Sequence, residues 1–206
     1  MTLVELLVAS VIMALAVSIT YAAWRTMIGS FGVIKSQIEI RQEARRAADL
    51  IRSDARSAAY VFSGRELEMG GVTYLTRAPG EPSTSLVMAL PTEGPGGGQK
   101  YAVVAYRLEE NRGDPANPIA HNLRRTLWKN VSPRIPGLPE TIEIKKLKDR
   151  DGAGKLLTRY ADPLRFSFVI GKGCNSIHVR SLALRRDYSG GRAAQTRFDV
   201  TAYLRN

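Results

Sequence analysis

Between Leu6 and Trp24 the chain runs for nineteen residues with nothing more polar than Ser10, Ser18, Thr20 and Tyr21. Wound as an α-helix, that stretch reaches roughly 29 Å, which matches the hydrocarbon core of a bilayer. The length predicts a membrane span, with Leu6, Leu7, Val11 and Leu15 among the side chains that anchor it in lipid. Trp24 and Arg25 close the span as an interfacial anchor, because amphipathic rings and long cations favour the headgroup level. A secretory signal would carry a basic region, a shorter apolar run and a small-residue cleavage site. Here the flank is acidic: Glu5 is the only charged side chain before Arg25.

That flank raises two questions. All nearby Lys and Arg follow the span, so the positive-inside rule places the large remainder of the chain in the cytoplasm. A basic leader removed from the front would restore the opposite orientation. Glu5 itself is expensive, since a carboxylate at the centre of a span costs about 2.5–3.5 kcal/mol and less near the interface. Two readings stand beside each other: a headgroup-level acid favoured by the positive end of the helix, or an acid that pairs with an α-amino group.

Past the span the helical period continues. Ile28, Phe31, Ile34 and Ile38, then Ala44, Ala48, Ile51, Ala55, Ala58 and Phe62, recur at three- and four-residue steps. Arg45, Arg46, Asp49, Arg52, Asp54 and Arg56 read as the polar face, with Arg45–Asp49 and Asp49–Arg52 spaced to pair across a turn. Gly29 and Gly32 offer a place for the rod to bend. A helix continuing to about Tyr60 is roughly 90 Å long. From Ser63 the period changes to short alternating runs, which predict strands at 66–69, 72–76, 85–90, 101–109, 123–130, 141–148, 164–170, 176–186 and 197–204. Gly70-Gly71 reads as a hairpin turn. "TEGPGGGQK", "NRGDPANP" and "SPRIPGLPE" read as loops. The expected architecture is α+β: residues 1–25 as the transmembrane half of one long helix, 26–62 as its amphipathic half, and 63–206 as a β-rich head, mainly antiparallel.

The opening residues Met1, Thr2, Leu3, Val4, Glu5, Leu6 and Leu7 resemble the mature N-terminus of type IV pilins and type II secretion pseudopilins. The resemblance implies a pilin-like fold and a short leader cut by a prepilin peptidase. It makes Met1 the processed, N-methylated terminus and Glu5 the assembly residue that meets the terminal amine of an adjacent subunit. Major pilins usually carry Pro at the place of Ala22 and often Gly at that of Ala14, so this chain resembles a minor component more. "RQEARRAADLIRSDARSAAY", "VVAYRL", "LRRTLW" and "FDVTAYLRN" are similar to PilW-type minor pilins. The implied role is a structural subunit that primes or caps a type IV pilus. Its partners would be other minor pilins and the major pilin, and it would sit in the inner membrane with the head in the periplasm before assembly. The alternatives are a GspJ-like minor pseudopilin of a secretion tip and a DNA-binding minor pilin.

Catalytic chemistry finds little support. His121 and His178 are far apart in sequence and lack ligand spacing, and Cys174 is the only cysteine, so no intrachain disulfide and no CxxC site exist. Asp149 and Asp151 in "KDRDGAGK" lack the downstream Glu of a calcium loop and read as a hairpin turn. No catalytic residue, metal or cofactor is expected. The 30 Lys and Arg against 19 Asp and Glu give a net charge of +11. Arg124, Arg125, Lys129, Lys145, Lys146, Lys148, Arg180, Arg185 and Arg186 would form a basic surface that meets acidic neighbours or, in the alternative, nucleic acid.

Overall fold

The computed structural model describes residues 2–93, 99–110, 121–148, 152–173, 175–180, 184–187, 193–197 and 199–204. One helix, α1 (Leu3–Ser57), runs unbroken for 55 residues, about 82 Å at the standard rise. It passes through Gly29 and Gly32 with open space around both. It ends earlier than the expected Tyr60–Phe62 for a reason visible at its C-terminus. Ala58 is extended, Ala59 N–H donates to the Ala89 carbonyl at 2.9 Å, and Tyr60–Phe62 forms strand β1. Aromatic and β-branched side chains there gain more from the pleated sheet than from another helical turn.

Twelve further strands follow among the described residues: β2 (Glu66–Met69), β3 (Val72–Leu75), β4 (Pro82–Ser83), β5 (Ser85–Glu93), β6 (Gln99–Glu110), β7 (His121–Val131), β8 (Gly152–Ala161), β9 (Ser167–Ile170), β10 (Ser176–Arg180), β11 (Leu184–Asp187), β12 (Ala193–Thr196) and β13 (Val200–Tyr203). They form a seven-stranded sheet in the order β1-β5-β6-β7-β8-β11-β12, a four-stranded sheet β13-β10-β9-β4 and the hairpin β2-β3. Every pairing is antiparallel. The α+β arrangement expected from the sequence is therefore present, with a long apolar N-terminal helix packed on antiparallel sheets. Gly70 and Gly71 close the β2–β3 hairpin with φ of 58° and 72°, both in the region that a two-residue hairpin turn requires.

The period of two along β5 and β6 divides the interior into two cores. Leu86, Met88, Val104 and Tyr106 face α1 and the four-stranded sheet, joined by Ile51, Phe168 and Ile177. Val87, Ala89, Val103 and Ala105 face the other way, toward Phe62, Tyr74, Trp128, Ile142 and Ile144. That second core is covered by the β2–β3 hairpin and by two 3₁₀ turns, Pro139–Thr141 and Ile144–Lys146. These turns replace the strand expected over 141–148. Ile142 and Ile144 alternate as a strand would, but Pro139 opens the segment and the Thr141 hydroxyl donates to the Leu138 carbonyl at 2.7 Å, which favours tight turns.

Other boundaries moved for local reasons. The expected strand over 164–170 starts only at Ser167, because Leu164 N–H donates to the Asp162 carboxylate at 3.0 Å in a turn and its side chain stays exposed. The run expected over 176–186 is two strands, β10 and β11, that belong to different sheets. Strand β8 occupies part of "KDRDGAGK", expected as a turn; Asp149 and Asp151 lie outside the described residues. Gly152 is needed there for space: a Cβ would lie 2.8 Å from the Trp128 indole nitrogen and 2.9 Å from the Thr126 methyl.

The helix reaches the sheet through small side chains, Ala44, Ala47, Ala48, Ala55 and Ala58, all buried. In their midst is Asp54, only 6% exposed and not on the polar face where its charge suggested. It follows Ile51 by three residues and precedes Ala58 by four, which puts it on the buried stripe. Tyr106 and Arg125 are directly opposite each other on β6 and β7. The Tyr106 hydroxyl donates to Asp54 Oδ2 at 2.5 Å, and Arg125 donates through Nε to Oδ2 at 2.7 Å and through Nη2 to Oδ1 at 3.1 Å. Burial, then the charge of Asp54 and its hydrogen bond, push the Tyr106 phenol far above its usual value of 10.0. Burial pulls the Arg125 guanidinium down, but the hydrogen bond to Asp54 and its charge outweigh that, so Arg125 holds its proton more firmly than in water.

Breaking a buried pair strands the remaining charge at a cost of about 3–5 kcal/mol. Asp54→Ala is expected to lower the stability of the head by that amount in urea unfolding of the full chain in micelles. Asp54→Leu combined with Arg125→Met is expected to recover most of the loss; a double variant as weak as the single would show that the pair is not what the site depends on. A second outcome concerns alkali. The folded state keeps a proton on Tyr106 that the unfolded chain releases near pH 10.0. The Tyr106 contribution is therefore whole below that pH and declines as pH rises above it. Tyr106→Phe is expected to flatten the loss of stability between about pH 10 and pH 12, read from unfolding midpoints across that range.

Candidate assembly surface on the N-terminal helix

The head covers only the last part of α1. Burial begins at Ser36 and Ile40, whereas Leu3 through Ile38 presents large apolar side chains, such as Leu6, Leu7, Val11, Leu15, Phe31 and Ile34, that are at least half exposed. The residues from Leu3 to Lys35 make a protruding rod of about 50 Å. Its 18-residue core has a mean hydropathy of 2.4, and it is the one helix among the described residues long and apolar enough to cross a membrane. Trp24, 62% exposed, and Arg25 mark the end of that stretch.

The Ser and Thr hydroxyls along the rod are satisfied from within. Ser18 donates to the Ala14 carbonyl and Thr20 to Ala16, each at 2.8 Å, and Thr26 donates to Ala22 and Ser30 to Thr26, each at 2.9 Å. Ser10 reaches back to Leu7 at 2.8 Å. Ser and Thr hydroxyls that bond their own helix backbone do not enter hydrocarbon unpaired.

At the N-terminus Thr2 and Glu5 cap each other. Thr2 N–H donates to Glu5 Oε2 at 2.7 Å, and Glu5 N–H donates to the Thr2 hydroxyl at 3.3 Å. Such a capping box satisfies two N–H groups that a helix start otherwise leaves open, and the negative charge is placed at the positive end of the helix. The Thr-x-x-Glu spacing is the sequence signature of this cap. Glu5 Oε1 has no hydrogen-bond partner among the described residues. Met1, expected as the processed terminus, lies outside the described residues.

Apolar exposure does not stop at Arg25. Met27, Ile28, Phe31, Ile34 and Ile38 continue it for a further three turns beyond the interfacial anchor. The sequence presents one continuous apolar face from Ile28 to Phe62, but the structure divides it: the alanine-rich part is buried on the head and the bulky part is bare.

The remaining candidates do not converge. His178 is in the four-stranded sheet, with Nδ1 3.0 Å from the Thr201 hydroxyl and Nε2 3.3 Å from that of Ser176; His121 starts β7 in the other sheet. Cys174 lies outside the described residues, among which no group of three or more His, Cys, Asp or Glu is placed to hold a metal. The expected basic surface loses members. Arg125 is consumed by Asp54, and Arg124 pairs with Glu109 at 3.2 Å, an acid that Arg107 also holds. The side chains of Lys146, Arg180, Arg185 and Arg186 are outside the described set.

Comparisons of the chain with protein-family models, with curated proteins and with solved structures find no match.

Proposed function

We propose that this chain is a membrane-held structural subunit, a minor pilin-like component whose N-terminal helix leaves lipid to pack among the helices of neighbouring subunits in a filament or its tip complex. The single observation that carries the reading is the bare rod from Leu3 to Ile38, largely apolar, with one acid, Glu5, at its start and cations at Arg25 and Lys35. A membrane anchor alone needs about twenty apolar residues. This helix continues its apolar surface for three turns past the anchor, where water rather than lipid would meet it, and other helices are the natural cover.

Two further features support packing against helices. Ser10, Ala14, Ser18, Ala22, Thr26 and Ser30 recur at every fourth position. Small residues at that spacing let helix backbones approach closely in a bilayer. At 100° per residue the row drifts by 40° per step and winds about 200° around the rod, so it meets neighbours on opposite sides. Glu5 supplies the second feature, a carboxylate with an oxygen to spare in a setting of low dielectric. In the resemblance to pilins its partner is the terminal amine of an adjacent subunit, and Met1 is the processed residue that carries such an amine. The same design serves a secretion pseudopilus, which differs in the machine joined rather than in the physics of joining.

Glu5→Ala is expected to leave the chain in the membrane fraction while abolishing or sharply reducing its co-purification with helical partner subunits and the filaments of its own cell. Unchanged partner recovery and unchanged filaments would remove the assembly role of Glu5. Loss of membrane insertion would show instead that the acid acts at the anchoring step.

A further inference from the structure

Trp24, Met27, Phe31, Ile34 and Ile38 follow one another at steps of three, four, three and four residues. That alternation is the seam of a left-handed coiled coil, a narrower stripe than a globular core uses. Each of the five side chains is more than half exposed. At 100° per residue the seam lies roughly 160° around the helix from Ser36, Ile40, Ala44, Ala47 and Ile51, which are buried on the head. It is a second face of α1, turned away from the sheets.

The same alternation reaches Arg41 and Arg45, so the seam turns from apolar to cationic within two turns of Ile38. Both are exposed, as is Lys35 beside the seam. The next position, Ala48, is 4% exposed and enters the head. A 3.5-residue seam drifts about 20° per heptad around a straight helix, and here the drift is toward the buried side. A partner that follows the seam therefore covers Trp24 to Arg45 and leaves the helix there. The acids within that stretch are Glu39 and Glu43, neither at a seam position, and Glu43 accepts from the Thr158 hydroxyl at 2.9 Å. Asp49, one turn beyond Arg45, pairs with Arg52 at 3.0 Å.

We propose that this seam takes a parallel helix of a different subunit, apolar at the positions beside Trp24 to Ile38 and acidic at the two beside Arg41 and Arg45. The proposal rests on the assembly reading, in which the partner's helix also rises from the membrane and so runs in the same direction. It adds which face of α1 is used and what chemistry selects the partner. Charge selects against a second copy of this chain. In register, Arg41 would oppose Arg41 and Arg45 would oppose Arg45; shifted by one heptad, the two cations would be set against Ile34 and Ile38. Like charges across a seam, or a charge on an apolar layer, disfavour self-pairing, whereas a carboxylate at each position neutralises the cation as the seam loses water.

The test uses the full chain in micelles of an uncharged detergent and three fluorescent helical peptides of about twenty-two residues with Ile and Leu on the seam. The first has Glu at its last two seam positions and the second has Lys there. The third has Glu at its first two, which meets the cations only if the peptide runs antiparallel. By anisotropy the first is expected to bind about tenfold more tightly than either of the others, with the difference shrinking in salt. Arg41→Glu combined with Arg45→Glu is expected to reverse the order of the first two peptides, and Arg41→Lys combined with Arg45→Lys to keep it. Phe31→Ala combined with Ile34→Ala is expected to weaken the first peptide about tenfold. All four side chains are exposed, so the head stays folded in these variants. Equal binding of the first two peptides, preference for the third, binding no tighter than to empty micelles, or a dimer of the chain that displaces the peptide would each overturn the proposal. Glu5→Ala is expected to leave these affinities unchanged. Failed peptide selectivity with filaments lost in Glu5→Ala therefore overturns the seam alone, and the reverse pair of results overturns the assembly role of Glu5 alone.

Discussion

The carboxylate of Asp54 decides where the helix sits on the head. Burial of alanines is favourable but has no direction, and the row Ala44, Ala47, Ala48, Ala55 and Ala58 would pack nearly as well if the helix slid by one turn. Such a slip would bring Leu50 or Ala58 over Arg125 and leave a guanidinium buried without an anion. The bidentate contact, fixed further by the Tyr106 hydroxyl, makes the alternatives costly. Because Tyr106 and Arg125 face each other across β6 and β7, the same three groups also pin the register of the central strand pair.

From that fixed point the helix divides into parts suited to different surroundings. Near the head its buried side chains are mostly alanines, joined by Ile40 and Ile51, and they belong to the core that α1 shares with Leu86, Met88 and the four-stranded sheet. Toward the N-terminus its Leu, Val, Ile and Phe side chains extend beyond the head and are bare in the isolated chain. Water tolerates single exposed apolar side chains but not a patch this long. The stretch up to Trp24 is long and apolar enough to cross a membrane, and the turns from Met27 to Ile38 carry the bare apolar surface beyond it. The division follows where the head ends along the helix, since both halves are apolar by pattern.

The same distinction explains what the sequence discloses and what it hides. The helix, its apolar start and most central strands are legible because their periods are long and regular, as in Ser85–Leu90 and Tyr101–Glu109. Strand β8 is not, because Gly152 and Gly154 imitate a turn while Gly152 in fact makes room for the Trp128 ring. The segment from Pro139 to Lys146 misleads in the opposite sense, with strand-like alternation built from tight turns. Asp54 shows the limit of sorting by charge: its position relative to Ile51 and Ala58 marks it as buried, and only its residue type suggests otherwise. The capping box at Thr2 and Glu5 was fully written in four residues, but the apolar run behind it drew attention from the local signal.

Two of the acids on this one helix are thus in contrasting states. Asp54 accepts three hydrogen bonds, from Tyr106 and twice from Arg125, and its capacity is nearly filled by groups of the same chain. Among the described residues Glu5 accepts one, from the Thr2 N–H, and that bond ties it to a neighbour three residues away. A carboxylate buried with a full complement of donors is a structural fixture, whereas one held by a single local bond in an apolar setting still gains from meeting a cation. An arriving amine need not displace the cap, because the bond to Thr2 occupies Oε2 and leaves Oε1 available. The cap settles the acid at the start of the helix while using, among the described residues, one of its two oxygens.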